Sequence, residues 1–315
     1  MSTAVQPAPV QAAPTPSQLT VAYSVCRGIT RRSAKNFYYA FLVLPRPKRQ
    51  ALSAVYAFMR RCDDIADDEG LPLVERRQKL AAWLDALHCA QAGQPTDEPV
   101  FLALTDAQRR FNIPVGLLDQ LAYGTAMDVE GEADSDAANP GSRKLQVHYP
   151  TFEALRGYCY KVASVVGLVC IHVFGYRDPA AEALAEDCGL AFQLTNIIRD
   201  VKEDAAAGRV YLPEEDLAKF GITPPELLTA SEPVRFQPLL AFEADRAREY
   251  YKAADQLIPL IDEDSQPALW VLVTIYRSLL EKIAGRQGDV FSRKIALTTA
   301  EKLAILLKGW VKRLA

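Results

Sequence analysis

Histidine is scarce: only His88, His148 and His172 occur in 315 residues. None sits at zinc-site spacing from a cysteine, and the six cysteines include no CxxC pair. A disulfide framework is not expected in a chain this long, so a reducing cytoplasm is the default location. A charge excess is also missing. The 36 basic and 39 acidic residues leave a net −3, without the basic surplus of a nucleic-acid binder. No nucleic-acid partner is expected, and any anionic ligand must be held by local clusters. The longest nearly apolar run, VASVVGLVCIHVFG (162–175), has 14 residues and includes Ser164 and His172. A membrane span needs roughly 18 or more. There is no GxGxxG fingerprint and so no built-in dinucleotide fold, which leaves NADPH use open. Residues 1–17 carry four prolines and lack both a basic n-region and an apolar h-region. They read as a disordered tail, not a signal peptide.

Strand alternation and hairpin signals are absent as well. Instead, apolar residues recur three and four apart in segments such as PKRQALSAVYAFMRRCDDIADD and PLVERRQKLAAWLDALHCA. Pro47, Pro72, Pro114 and Pro179 fall where helices would start. Breaks fall at 93–99, 130–150 and 220–225. No repeat or composition shift marks a second domain. The pattern predicts one all-α domain over residues 18–315, with roughly ten helices and long loops near 130–150 and 205–225.

Two acidic motifs stand out. The first is Asp63-Asp64-Ile65-Ala66-Asp67, followed by Asp68 and Glu69, at the end of the helix that starts near Pro47. Asp63 and Asp67 are four apart, so their carboxylates share a face with Cβ atoms ~5–6 Å apart. Acids at a helix C-terminus oppose the macrodipole, and they repel one another. Mg²⁺ would relieve both, because it takes carboxylate oxygens together with substrate phosphates. A solvated acidic helix end remains the alternative.

The second motif is QLTNIIRDVKED (193–204), in which Asn196, Asp200 and Asp204 recur every four residues. Each step turns the face by only about 40°, so three oxygen donors lie on one slowly turning stripe. Leu194, Ile197, Ile198 and Val201 predict a largely buried helix. Asn and Asp are costly there unless they bind something. The alternative, a buried polar network closed by Arg199, leaves one arginine against Asp200, Glu203 and Asp204.

Two such helices can each hold metal against a diphosphate, offsetting charge as an allylic C–O bond breaks. The pocket must then be dry, and aromatic faces can shelter the cation. Phe37, Tyr38, Tyr39, Phe41, Tyr56 and Phe58 are placed near the first motif. Arg27, Arg31, Arg32, Lys35, Arg60 and Arg209 lie close by in sequence, and arginine suits bidentate diphosphate contacts.

NFYYAFLVLP (36–45), YAFMRRCDDIADD (56–68), YCYKVASVVG (158–167) and QLTNIIRDVKEDAAAGRVYLPEEDL (193–217) resemble the squalene/phytoene synthase family in order and spacing. The resemblance runs from about residue 20 to 295. It implies an isoprenoid-synthase helical fold with a central cavity, and head-to-head joining of two prenyl diphosphates through a cyclopropylcarbinyl diphosphate. It implies Mg²⁺, with Mn²⁺ as a substitute, held by Asp63, Asp67, Asn196, Asp200 and Asp204. Ser33, Asn36, Tyr56, Arg60, Gln193, Arg199, Tyr276 and Lys294 (with Arg293 beside it) would contact substrate. Tyr158 matches a tyrosine implicated in proton removal. Asn36, Met59 and Cys62 depart from commoner family residues and touch the pocket, not the metal ligands.

Residues 162–178 look closest to bacterial members that make presqualene diphosphate from two farnesyl diphosphates. Phytoene synthases, which use geranylgeranyl diphosphate, share nearly every other motif. Cavity depth decides chain length, with Phe37, Phe41 and Leu168 as candidate walls. Two further readings are a terpene cyclase and a non-catalytic helical binding protein. The stretch AEKLAILLKGWVKRLA (300–315) is amphipathic. A helix packed on the core is the expectation there, with peripheral contact at the inner membrane face left open.

Overall fold

Apolar residues at helical spacing fold into fourteen α-helices among the residues that this computed structural model describes. It describes residues 14–34, 36–68, 70–130, 146–147, 149–229, 233–285, 290–292 and 294–314. In chain order the helices are α1 (Pro16–Ser33), α2 (Phe37–Phe41), α3 (Arg46–Ala66), α4 (Leu73–Gln91), α5 (Pro99–Phe111), α6 (Val115–Glu130) and α7 (Phe152–Cys159). Then follow α8 (Val165–Phe174), α9 (Ala180–Ala206), α10 (Glu214–Lys219), α11 (Pro224–Thr229), α12 (Gln237–Leu257), α13 (Gln266–Ala284) and α14 (Thr299–Leu314). Pro47 lies in the first turn of α3, and Pro72 and Pro179 cap α4 and α9. Their fixed φ suits a helix start, where the missing N–H costs nothing.

The structure departs from the expected boundaries in three places. Thr15 closes a capping box with Gln18, so Pro16 and Ser17 belong to α1 and not to the tail. Residues 1–13 lie outside the described residues. Two strands of two residues, β1 (Gln146–Val147) and β2 (Arg209–Val210), pair in parallel. Alternation cannot register in so short a run. The expected loop at 205–225 instead carries β2 and α10, whose first turn holds three acids that favour a helix N-terminus. The expected loop at 130–150 falls mostly on residues outside those described.

Buried apolar residues form one continuous cluster from Ala22 to Leu306. A π-turn over 160–164 joins α7 to α8. Together they make a 23-residue stretch, Phe152–Phe174, that is long and apolar enough to cross a membrane by length and composition. It exceeds the 14-residue run read from sequence, yet Leu155, Val165, Val169, Ile171 and Val173 are buried inside the protein. α9 lies against it almost backbone to backbone. A Cβ on Gly189 would fall 2.7 Å from Ser164 Cα and 2.8 Å from the Ala163 carbonyl oxygen. Only glycine permits that approach. At the end of α8, Lys48 Nζ donates to the Phe174 carbonyl (2.7 Å), Asp264 (2.6 Å) and Ser265 Oγ (3.0 Å), tying α3, α8 and the start of α13 together.

Candidate active site

α3 buries Leu52, Val55, Phe58 and Cys62, and Tyr56, Met59, Arg60 and Asp63 lie beside them at half burial. Asp67 caps the helix and its N–H donates to the Asp63 carbonyl at 2.8 Å, so the four-residue spacing survives at the helix end. Asp63 is half-buried, whereas Asp64 and Asp67 are exposed. Arg60 pairs with Asp64 at 2.5 Å. Arg76 of α4 donates to the Ala66 carbonyl at 2.8 Å, which offsets the crowding of negative groups at this terminus. No pattern in the sequence pointed to Arg76, because its partner is a backbone oxygen of another helix.

On α9, Leu194, Ile197, Ile198 and Val201 are buried as expected. Gln193, Asn196, Arg199 and Asp200 are half-buried on the adjoining face. Arg199 grips Asp200 at two points, Nε donating to Oδ1 at 2.8 Å and Nη2 to Oδ2. Lys294 adds a contact to Asp200 Oδ1 at 3.0 Å and one to Glu203 at 3.5 Å. Burial pushes the Asp200 carboxyl up, but the hydrogen bond and charge of Arg199, then those of Lys294, outweigh it and hold the group below its ordinary range. Arg293 lies outside the described residues. Asn196 Nδ2 donates to Gln193 Oε1 at 3.3 Å, while Asn196 Oδ1 is buried without a hydrogen-bond partner. Leaving such an acceptor dry costs about 1–3 kcal/mol unless a ligand completes it.

The two acidic helices share one hollow. Tyr56 and Met59 of α3 and Gln193 and Asn196 of α9 line the same cavity, with Phe37, Phe41, Phe174, Phe192, Leu269 and Tyr276 around it. Its volume is about 170 Å³, counted as the space open to the centres of water molecules. One water needs roughly 10–15 Å³ on that measure, so this is no packing defect. Tyr276 of α13 is buried, stacks on Phe192 at 4.5 Å and meets Phe37 edge-on at 6.1 Å. Burial raises its hydroxyl pKa, against the pull of Arg199 and hydrogen bonds from Asn36 and Asn196. Burial likewise pushes Tyr56 up to about 12, with Arg60 opposing and Asp63 adding to the rise. Each tyrosine therefore senses one acidic motif, Asp63 for Tyr56 and Asp200 for Tyr276, at the polar end of an otherwise apolar cavity. Ser33 ends α1 and Asn36 precedes α2, both half-buried, and Lys35 lies outside the described residues. Among the candidate depth-setting residues, Phe37 and Phe41 wall the cavity and Leu168 is not among its lining residues.

Of the predicted site residues, Tyr56, Gln193, Asn196 and Tyr276 line the cavity itself, and Asp63, Asp67, Arg60, Arg199, Asp200 and Lys294 are not among its lining residues; nor are Tyr158 and Asp204. Tyr158 is buried in a three-ring cluster, its centroid 5.3 Å from both Tyr149 and Tyr211, which are themselves 6.3 Å apart. Asp204 lines a small recess with Ile197, Val201, Arg209 and Tyr211. Two steps of four residues beyond Asn196, each turning the face by about 40°, bring Asp204 to the side of Ile197 and Val201. Among the described residues no three His, Cys, Asp or Glu side chains form a preassembled metal cage.

A mostly α-helical shell encloses an apolar hollow whose Tyr56 and Tyr276 feel the charges of Arg60, Asp63, Arg199 and Asp200, which places the protein in the class of all-α folds built around a central cavity. The squalene/phytoene synthase profile matches residues 30–301. The chain is 35% identical over 304 residues to 15-cis-phytoene synthase of Synechococcus elongatus, covering 92% of each chain. It is also 35% identical to phytoene synthase of Mycobacterium tuberculosis, covering 92% of this chain and 90% of that one. Among solved structures it resembles a dehydrosqualene synthase in complex with ligand, with a TM-score of 0.80 and 28% identity over 93% and 96% of the two chains. It resembles squalene synthase HpnC from Alicyclobacillus acidocaldarius with a TM-score of 0.73 and 29% identity over 87% and 97%. The chain belongs to the squalene/phytoene synthase family, whose members are prenyltransferases that condense prenyl diphosphates head to head and bind them with Mg²⁺.

Proposed function

We propose that this protein joins two farnesyl diphosphates into the C30 compound presqualene diphosphate. The single observation that carries the site is the apolar cavity reached from both acidic helices through Tyr56 and Asn196. Phe41, 4% exposed, and Phe37 stand in its wall, and two rings there favour the shorter C15 tail. A second reading is phytoene synthesis from two geranylgeranyl diphosphates, which the curated relatives favour by name.

The donor set suits Mg²⁺. It is all oxygen, it includes the partnerless Asn196 Oδ1, and it leaves coordination sites for substrate phosphates. Asp63, Asp67, Asn196 and Asp200 would hold the ion, with Asp204 joining from the neighbouring recess. When bound, Mg²⁺ neutralises the diphosphate leaving group.

The chain's own residues do the rest. Arg60, Arg199 and Lys294 donate to diphosphate oxygens, exchanging their present carboxylate partners for the ligand. Ser33, Asn36, Tyr56, Gln193 and Tyr276 orient the head group at the cavity mouth. The first substrate loses its diphosphate with the C–O electron pair. The allylic cation alkylates the double bond of the second substrate, and loss of a proton closes the cyclopropane. Phe37, Phe41 and Phe192 exclude water and offer π faces to the cation. A tyrosine with an ordinary pKa near 10 is a weak base, so Tyr158 would take the proton with help from the released diphosphate.

The test is product analysis of the purified chain with Mg²⁺ and either farnesyl or geranylgeranyl diphosphate, with and without NADPH. A C30 diphosphate formed without NADPH is expected. Phytoene would move the assignment to C40, a C15 or C20 hydrocarbon would indicate a cyclase, and no turnover would indicate a binding protein.

A further inference from the structure

A lysine of α9 is spent on the backbone of a segment far along the chain. Between α13 and α14 the described residues, 290–292 and 294–298, form no helix. Val290, Phe291, Ile295 and Leu297 are nevertheless buried, and the Phe291 ring packs on Phe236 with centroids 4.7 Å apart. Lys202 Nζ donates to the Phe291 carbonyl at 2.5 Å. No acid stands three or four residues from Lys202 on its own helix, where Ile198, Arg199, Ala205 and Ala206 fall. Three residues beyond Phe291, Lys294 reaches Asp200 at 3.0 Å and Glu203 at 3.5 Å. On α9, Glu203 lies about 100° round the axis from Lys202, and Asp200 about 60° further in the same sense. The segment therefore crosses the acidic end of α9 from the Lys202 side to the Asp200 side.

We propose that Lys202 is a positioning residue: by anchoring this segment across α9 it holds Lys294 on Asp200. The Lys294–Asp200 pair cannot do this alone. The Lys294 side chain is 56% exposed, and an ion pair so open to water is too weak to order a chain segment. Packing of Phe291 on Phe236 keeps the segment against the core, but apolar contact has no direction. A charged donor on the carbonyl of a buried residue is both directional and strong, and its loss strips that carbonyl of its partner. Reach then ties Lys294 to the anchor. Three residues span at most about 11 Å, so a fixed Phe291 keeps the Lys294 backbone within that distance. Anchored this way, Lys294 presents its ammonium to a diphosphate at the second acidic motif; that consequence rests on the proposed function, and the anchoring does not.

Two measurements on the full chain test the proposal. One is the rate of native-state chymotrypsin cleavage after Phe291, whose carbonyl is the one Lys202 holds. The other is calorimetric binding of inorganic pyrophosphate with Mg²⁺. In K202M, cleavage between Phe291 and Ser292 should quicken about tenfold, the equivalent of one lost charge-assisted hydrogen bond. Pyrophosphate should bind about fivefold more weakly to K202M, and K202R, which keeps a cationic donor, should restore both readings toward wild type. K294Q should weaken pyrophosphate binding about tenfold, and K202M/K294Q no further, because an anchor acts only through the residue it positions. A direct charge effect of Lys202 would persist in that background. Unchanged cleavage in K202M, no rescue by K202R, or a further loss of about fivefold in the double variant overturns the proposal. Faster cleavage in K202M alongside wild-type pyrophosphate binding by K294Q upholds the anchor and strikes Lys294 from the proposed diphosphate contacts.

Discussion

Asp200→Asn separates the charge at the second acidic motif from its shape. The substitution keeps an oxygen able to accept from Arg199 Nε, now at 2.8 Å, and removes the negative charge that Arg199 and Lys294 share. The Arg199–Asp200 side chains are 19% and 20% exposed, between a surface pair worth about 0–1 kcal/mol and a buried one costing about 3–5 kcal/mol to break. A stability loss of about 1–2 kcal/mol follows, or about 2–6 °C in the thermal midpoint. The fold should therefore remain intact at assay temperature. Turnover should fall much further, by about 10²–10³, because the lost charge stabilises the separating diphosphate. Diphosphate release from farnesyl diphosphate would be followed across a Mg²⁺ titration, with circular dichroism as the control for folding. A raised Mg²⁺ requirement with depressed maximal rate is expected. Turnover within a few-fold of wild type at ordinary Mg²⁺ would refute the metal role of Asp200.

Three other outcomes are expected. Phe41→Ala should raise the ratio of activity on geranylgeranyl over farnesyl diphosphate by at least about tenfold, since a ring removed from a cavity wall is worth several methylenes of tail at about 0.8 kcal/mol each; competition between the two substrates measures it. Gly189→Ala should destabilise by about 1–3 kcal/mol in urea unfolding, because its methyl would strike the backbone at Ala163 and Ser164 and push the π-turn from α9. Glu243 shares Arg246 with Asp216 in a buried trio, and burial raises its carboxyl from 4.5 to about 8. The native state then keeps a proton that the unfolded state loses, so this contribution is complete below pH 4.5 and fades as pH rises to about 8. Urea midpoints at pH 5 and pH 8 should show that decline in the wild type and a shallower one in Glu243→Gln.

The helical periodicity from about residue 20 onward was plain in the sequence because one period, 3.6, runs through the long segments. The same was true of the oxygen stripe of Asn196 and Asp200, since spacing along a single helix is a local property. Arg60 and Asp64, four apart on α3, are local in the same way, whereas pairing of Lys294 with Asp200 depends on distant segments meeting. Nothing local announces that Arg76 reaches the Ala66 carbonyl, or that Phe192 stacks on Tyr276, 84 residues further on. Asp204 was expected on the stripe and lies by Arg209, because helical drift accumulates with each step. The strands at 146–147 and 209–210 are too short to leave a pattern. The sequence alone thus determined the helices and the chemical types on their faces, since both follow from neighbours within a turn or two. Only the tertiary structure decided which faces enclose the cavity and which lie open, because that depends on packing between helices far apart in the chain.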